Sequence, residues 1–182
     1  LSADGVPPHD IIEIRAASAA DREAIASFVM GLSLRARFFR FFSPAARPSP
    51  AALRALCGAR PGTDAVVATV NEEIIGHAMA ADTIGPDGCP VADIGLVVAD
   101  RWQSRGLGSE MLRRLIVRAS ARGISGLVME VLPENRRMLA MISRRWADAG
   151  CELAGDYVTV RVRLPEAPAA NGRCAGAERP AA

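Results

Sequence analysis

Residues 93–108, Asp-Ile-Gly-Leu-Val-Val-Ala-Asp-Arg-Trp-Gln-Ser-Arg-Gly-Leu-Gly, constrain the fold more than any other stretch of the chain. The apolar run from Ile94 to Val98 is long enough for one buried strand. It breaks at Ala99-Asp100 into a polar loop that ends in Gly106 and Gly108. From Leu107 onward, Met111, Leu112, Leu115, Ile116 and Ala119 recur at spacings of three and four, the stripe of an amphipathic helix. The pattern is a strand, a glycine-bearing turn and a helix N-terminus. Such a turn binds anions, because the first turn of a helix has unpaired N–H groups and the positive end of the dipole. Gly106 and Gly108 let phosphates approach without a Cβ in the way.

Two phosphate-binding patterns are excluded. A P-loop needs Lys-Ser/Thr after its last glycine, and a dinucleotide fingerprint needs three glycines and a later acidic residue. What remains, Gln103-Ser104-Arg105-Gly106-Leu107-Gly108, resembles the Gln/Arg-x-x-Gly-x-Gly/Ala motif of the GNAT acetyltransferases. In that family the backbone amides of the motif hold the pyrophosphate of acetyl-CoA. The resemblance implies that Gln103 through Gly108, with Arg105, Leu107 and Ser109, bind acetyl-CoA as co-substrate, and it implies no metal.

The rest of the chain agrees in order. With 182 residues it suits one domain, with a core that needs neither disulfide nor metal. Residues 1–10 read as a flexible lead-in and residues 165–182, rich in Ala, Pro and Gly, as a disordered tail or linker. Between them, 11–16 alternates as a strand, and Ser18 caps a helix over about 20–32. A second helical stretch, 33–42, carries four of the five phenylalanines. Residues 51–56 make a short helix, 64–70 and 74–80 a hairpin, and Gly85-Pro86-Asp87-Gly88 a turn ahead of the central strand. Gly123 ends the central helix, 127–132 is the next strand, 134–149 a helix closed by Gly150, and 151–164 two strands around Gly155-Asp156. This mixed α/β order matches GNAT topology over 11–164, which implies a central sheet of about seven strands, a splayed central strand pair and flanking helices.

The net charge of +2 is too small to point to nucleic acid or an anionic membrane. No apolar run reaches the roughly 18 residues of a membrane span, and the four scattered cysteines suggest neither a zinc site nor a disulfide framework. Reduced thiols place the chain in the cytoplasm. The first residue is Leu rather than Met, which leaves room for a regulatory domain joined at either end.

Three further stretches are similar to one GNAT branch, the bacterial protein lysine acetyltransferases that modify acyl-CoA synthetases. They are Leu32-Ser33 through Arg40-Phe41-Phe42-Ser43-Pro44, then Ala92 to Val98, and Val131-Leu132-Pro133-Glu134-Asn135-Arg136-Arg137-Met138. The branch carries Glu where this chain has Asp93. The implied activity is acetyl transfer to a lysine of a protein, an acyl-CoA synthetase. Two alternatives stay open, an acetyltransferase for a small amine and a non-catalytic acyl-CoA sensor.

The chemistry names the candidates. A lysine with a pKa of about 10.4 is neutral in only about one molecule in 2,500 at pH 7, so a base must take its proton. Asp93 is the candidate base and Glu130, at the end of the next strand, the reserve. By resemblance Val97 and Val98 supply main-chain bonds to the cofactor and Asn135 contacts its arm. The helix after the fifth strand has Trp146 and no tyrosine to protonate a leaving thiolate. Arg35, Arg37, Phe38 and Phe41 are expected on the acceptor side, and the acid-free arginines there disfavour cationic small molecules. His77, alone on an apolar strand, reads as a hydrogen-bonded core residue, and the arginines of 113–122 and 136–145 as solvated helix faces.

Overall fold

A computed structural model describes residues 11–43 and 47–165. The expected lead-in and all but the first residue of the expected tail lie outside the described residues. Seven strands form a mixed sheet in the order β1-β2-β3-β4-β5-β7-β6. They are β1 (Glu13–Ala16), β2 (Thr63–Val70), β3 (Glu73–Ile84), β4 (Pro90–Val98), β5 (Gly126–Val131), β6 (Gly150–Ala154) and β7 (Tyr157–Arg163). The helices are α1 (Arg22–Gly31), α2 (Leu34–Phe41), α3 (Pro50–Leu56), α4 (Leu107–Ala121) and α5 (Arg136–Arg145). The β4–β5 pair is parallel, whereas β1–β2, β5–β7 and β6–β7 are antiparallel.

The chain divides into two compact units, neither of them continuous in sequence. One takes the described residues up to Ala80 together with Gly95–Ile116; the other takes Ala81–Ile94 and the described residues from Val117 onward.

In the first unit, Ile25, Phe28, Val29 and Leu32 of α1 and its end pack with Leu53 and Leu56 of α3, Val67, Ile74 and Val97. Ala65 to Ala68 of β2 are all buried, so alternation is lost there because both faces are covered. Met111, Leu112 and Leu115 give α4 a wholly buried stripe. Gly76 makes room for it, since a Cβ at that position would come within 2.8 Å of the Met111 sulfur. Each such fully buried apolar side chain contributes about 1.5–3 kcal/mol. In the second unit the inward residues are Ala92 and Ile94 of β4, Leu127, Met129 and Val131 of β5, Ile142 of α5, and Val160 and Val162 of β7.

Two boundaries differ from the sequence expectation. The helix expected over 134–149 stops at Arg145, and Gly150 opens β6 instead of closing a helix. Only Ile142 of α5 is buried, so nothing apolar holds another turn, and Gly150 and Cys151 are drawn into pairing with Arg161 and Val160. The first helix begins as a 3-10 turn over Ala19–Asp21. There the Asp21 carboxylate accepts from the Ser18 N–H at 2.8 Å and takes the Arg15 guanidinium at 2.6 and 2.9 Å. This arrangement holds the Asp21 pKa down at about 2, chiefly through the Arg15 hydrogen bond.

His77 is a core residue, 1% exposed, and its Nε2–H donates to the Leu56 carbonyl at 2.7 Å. Burial first, and the positive charge of Arg40 in addition, lower its pKa to about 4 against the hydrogen bond that would raise it. The unfolded chain therefore binds a proton that the fold refuses, and the neutral-imidazole contribution, present above pH 6.5, is lost as pH falls towards 4. The shift corresponds to about 3 kcal/mol. Denaturant unfolding should show stability dropping from pH 7 to pH 4.5, and His77→Gln should flatten that part of the profile. An unchanged slope in the variant would mean that other groups carry it.

Candidate functional site

The site starts where β4 ends. The Ala99 N–H donates to the Ile75 carbonyl at 2.9 Å, and the Gln103 side-chain amide donates to the Val98 carbonyl at 2.8 Å and to Asp100 Oδ1 at 3.3 Å. A 3-10 turn, Asp100–Trp102, sits between them, and its Trp102 is buried as an apolar plug. The guanidinium of Arg105 lies 5.0 Å from the Trp102 ring centroid and that of Arg101 5.8 Å. Trp102 Nε1 is buried with no hydrogen-bond partner among the described residues.

The chain then alternates hands, with Ser104 at φ +63° and Gly106 at φ +80°. Alternation of this kind turns successive N–H groups towards one concave side and forms an anion nest. A left-handed serine costs about 1–3 kcal/mol, so its neighbours must hold it there. Gly106 accepts from the Glu110 N–H at 3.1 Å, which leaves the N–H groups of Leu107, Gly108 and Ser109 without intrahelical acceptors. Ser104, Arg105 and Gly106 are exposed, while Leu107 is buried and anchors the helix end. A Cβ built at Gly106 would meet nothing within 4 Å, so its left-handed backbone, not crowding, is what asks for glycine. The residues present fit a diphosphate.

Gln103 therefore has its side-chain amide committed to the strand end. The α4 arginines are engaged as well. Arg113 and Arg114 hold Glu110 at 2.7 and 2.9 Å, which keeps that carboxyl near a pKa of about 2, and just beyond the helix Arg122 pairs with Asp82 at 2.9 Å.

In the second unit, the β4–β5 pairing joins Val91, Ala92 and Asp93 to Gly126, Leu127 and Val128 and stops there, although both strands run on. This is the ladder of a splayed pair. Paired residues share a face, so Asp93, Val128 and Glu130 lie on one side of the sheet and Ala92, Leu127 and Met129 on the other. Asp93 and Glu130 are both exposed. Asn135 caps α5, its Oδ1 accepting from the Met138 N–H at 3.3 Å, which leaves its Nδ2 as the group available for a ligand.

The expected acceptor residues divide. Arg35 and Phe38 are exposed, whereas Arg37 is half-buried with its guanidinium donating to the Leu32 carbonyl, and Phe41 packs against the core of the first unit. Sequence reasoning missed Arg40, whose guanidinium lies across β4 where a Cβ on Gly95 would come within 2.2 Å of it. The glycine inside the run from Ile94 to Val98 was the signal, since such a residue within a strand marks a close approach.

The family described as "Acetyltransferase (GNAT) family" matches residues 32–145 of the chain. The chain belongs to this family. Among solved structures, the GNAT domain of S. lividans PAT is 25% identical, covering 84% of this chain and 90% of that one with a TM-score of 0.74. The yncA protein of Salmonella typhimurium, a putative acetyltransferase solved with acetyl-CoA, shares the fold at 20% identity and a TM-score of 0.65, over 90% of this chain and 99% of that one. The L-amino acid N-acetyltransferase AaaT of Escherichia coli (strain K12) is 35% identical over 57 residues, 31% of this GNAT chain. That match spans 35% of AaaT's own length. Among the described residues no cluster of three or more His, Cys, Asp or Glu could hold a metal, and no helix is long and apolar enough to cross a membrane.

Gly108→Asp should weaken acetyl-CoA binding by at least about tenfold, because it adds bulk and negative charge beside the open N–H groups. Titration calorimetry on a folded variant checks this, and equal affinity would move the diphosphate elsewhere.

Proposed function

We propose that this chain is an acetyl-CoA-dependent N-acetyltransferase whose acceptor is a lysine side chain on a folded protein, in class an acyl-CoA synthetase. The observation that carries the reading is the exposed pair Asp93 and Glu130 on one face of β4 and β5. An exposed carboxylate pair lies within reach of a lysine on another protein's surface. Acetyl-CoA supplies an activated acyl group as its thioester. Asp93 takes the proton that makes the lysine nucleophilic, directly or through one water, with Glu130 as reserve. Val97 and Val98 give main-chain bonds to the cofactor's arm, and Gln103 holds Val98 in place for it. The turn from Ser104 to Ser109 grips the diphosphate. Cys57 and Cys151 are free thiols, which suits a reducing cytoplasm.

The acceptor surface is the outer face of α2. Leu34 and Phe38, four residues apart, are 67% and 43% exposed, with Arg35 beside them and no acid in the helix, and the left-handed C-cap residue Phe42 is 39% exposed. An apolar stripe edged by positive charge fits an acidic, partly apolar protein surface. The small-amine alternative draws support from AaaT, whose name records L-amino acids.

Asp93→Asn should lower kcat by about 10²-fold or more with acetyl-CoA affinity retained, while Asp93→Glu keeps activity. A fast Asp93→Asn together with a slow Glu130→Gln would transfer the role to Glu130. For the acceptor surface, Arg35→Glu with Phe38→Asp should raise KM for a folded acyl-CoA synthetase far more than for a lysine peptide, increasingly so at low salt. Equal losses with both acceptors would assign the helix a structural role only.

A further inference from the structure

Trp102 has one polar group, and the fold does not use it. The indole Nε1 is buried with no hydrogen-bond partner among the described residues, in a side chain whose residue is only 7% exposed. A buried indole usually spends its N–H on an acceptor, so a position that asked only for an apolar plug would be filled at less cost by Leu or Phe. The face of the ring is what is used. The guanidiniums of Arg105 and Arg101 both lie over it, within the roughly 6 Å at which an aromatic face attracts a cation, and tryptophan attracts one best.

The two arginines differ in what else they hold. Arg101 donates to Glu73 at 3.0 Å, so its charge already has a partner. Arg105 is exposed and has no ion pair or side-chain hydrogen bond among the described residues; the Trp102 ring is its one electrostatic contact. An exposed arginine otherwise samples many rotamers, and ordering it costs entropy. Here Ser104, left-handed at φ +63°, turns the chain so that residue 105 comes back to the ring of residue 102. The ring itself is tied down, since the Trp102 N–H donates to the Ala99 carbonyl at 2.8 Å and the adjacent Gln103 amide holds the Val98 carbonyl. Arg105 stands between the two left-handed residues and directly before the open N–H groups of α4, so a charge fixed on this ring is fixed within one side chain's reach of the nest. A cation held over an aromatic ring is not neutralised by it, and Arg105 keeps both its charge and the fork that matches phosphate.

We propose that Trp102 is a positioning residue for the diphosphate of acetyl-CoA: its ring face holds the Arg105 guanidinium beside the nest, and Arg105 donates to the diphosphate from there. This rests on the reading that the turn from Ser104 to Ser109 grips that diphosphate.

Titration calorimetry on the full chain tests it, with acetyl-CoA and with acetyl-dephospho-CoA, which keeps the diphosphate and lacks the ribose phosphate. Arg105→Gln, a change at an exposed position, should weaken both ligands alike by about fivefold or more at low salt, and by less as salt rises. Trp102→Leu keeps the plug apolar but removes the ring face; it should reproduce that loss and add nothing to it in the Arg105→Gln background. Trp102→Phe restores an aromatic face and drops only the unpartnered N–H, so it should recover most of the affinity. A Trp102→Leu loss that adds to that of Arg105→Gln and ignores salt makes Trp102 merely structural and overturns the proposal. Parental affinity in Arg105→Gln overturns it too, even where Trp102→Leu does not fold. A loss confined to acetyl-CoA moves Arg105 to the ribose phosphate and has the same effect. Gly108→Asp, measured alongside, separates the two levels. If it weakens binding while Arg105→Gln does not, the nest stands and the positioning role falls; if neither variant changes affinity, the diphosphate lies elsewhere and both fall.

Discussion

A carbonyl at the end of a buried strand has to find a donor, and the Val98 carbonyl finds the Gln103 amide. That bond loops the chain back on the strand it has just left. Trp102, buried within the loop, excludes water from beneath it, and the Ala99 N–H closes the other side on Ile75. Held at both ends, the backbone tolerates a left-handed serine that a loose loop would relax. The open N–H groups of α4 are then fixed before any ligand arrives. Preorganisation of this kind raises affinity by removing an ordering cost, rather than by adding a contact.

The first unit handles its internal charges in opposite ways. Arg15 and Asp21 are kept ionised and paired where β1 meets the 3-10 turn, with Ser18 satisfying the remaining oxygen valence. His77 is kept neutral with one backbone partner. The buried Asp21 carboxylate loses hydration, but the Arg15 and Ser18 hydrogen bonds offset that loss, while a lone charge at the position of His77 would have no such partners. The positive charge of Arg40 nearby makes protonation harder still, so the arginine that crosses β4 also helps to hold the core histidine uncharged.

The strand, glycine turn and helix of 93–121 were legible because periodicity, turn chemistry and length all point one way there. The hairpin and the final strand pair were legible for the same reason. The end of α5 was not, because its arginines extend a helix by propensity while only Ile142 holds it by packing. At the site, the glycines could be read, since backbone hand depends on local residue type. The commitment of Gln103 could not, because a side-chain amide five residues from a carbonyl looks the same whether it faces a ligand or its own strand. Phe38 and Phe41 were equivalent by composition, and only the packing of α2 turns one outward and the other into the core. Gly95 carried a signal whose meaning depended on Arg40, far away in sequence.

Asp93 is one methylene, about 1.5 Å, shorter than the glutamate of the branch it resembles. In an enclosed site that loss would be serious, because a missing contact in a dry cavity leaves a polar group unsatisfied. On a solvent-facing strand it is mild, since a single bridging water restores the reach at small entropic cost. Asp93 also stands at the last paired position of β4 on β5, so its backbone is held in register while the side chain faces water. On the proposed reading, a protein acceptor that covered this face on docking would supply the missing enclosure itself. It would exclude bulk water, lower the local dielectric and strengthen the pull of the carboxylate on a lysine proton. With Asp93 as the proposed base, an exposed carboxylate and a large acceptor are two halves of one arrangement, and the shorter side chain suits that arrangement better than an enclosed one.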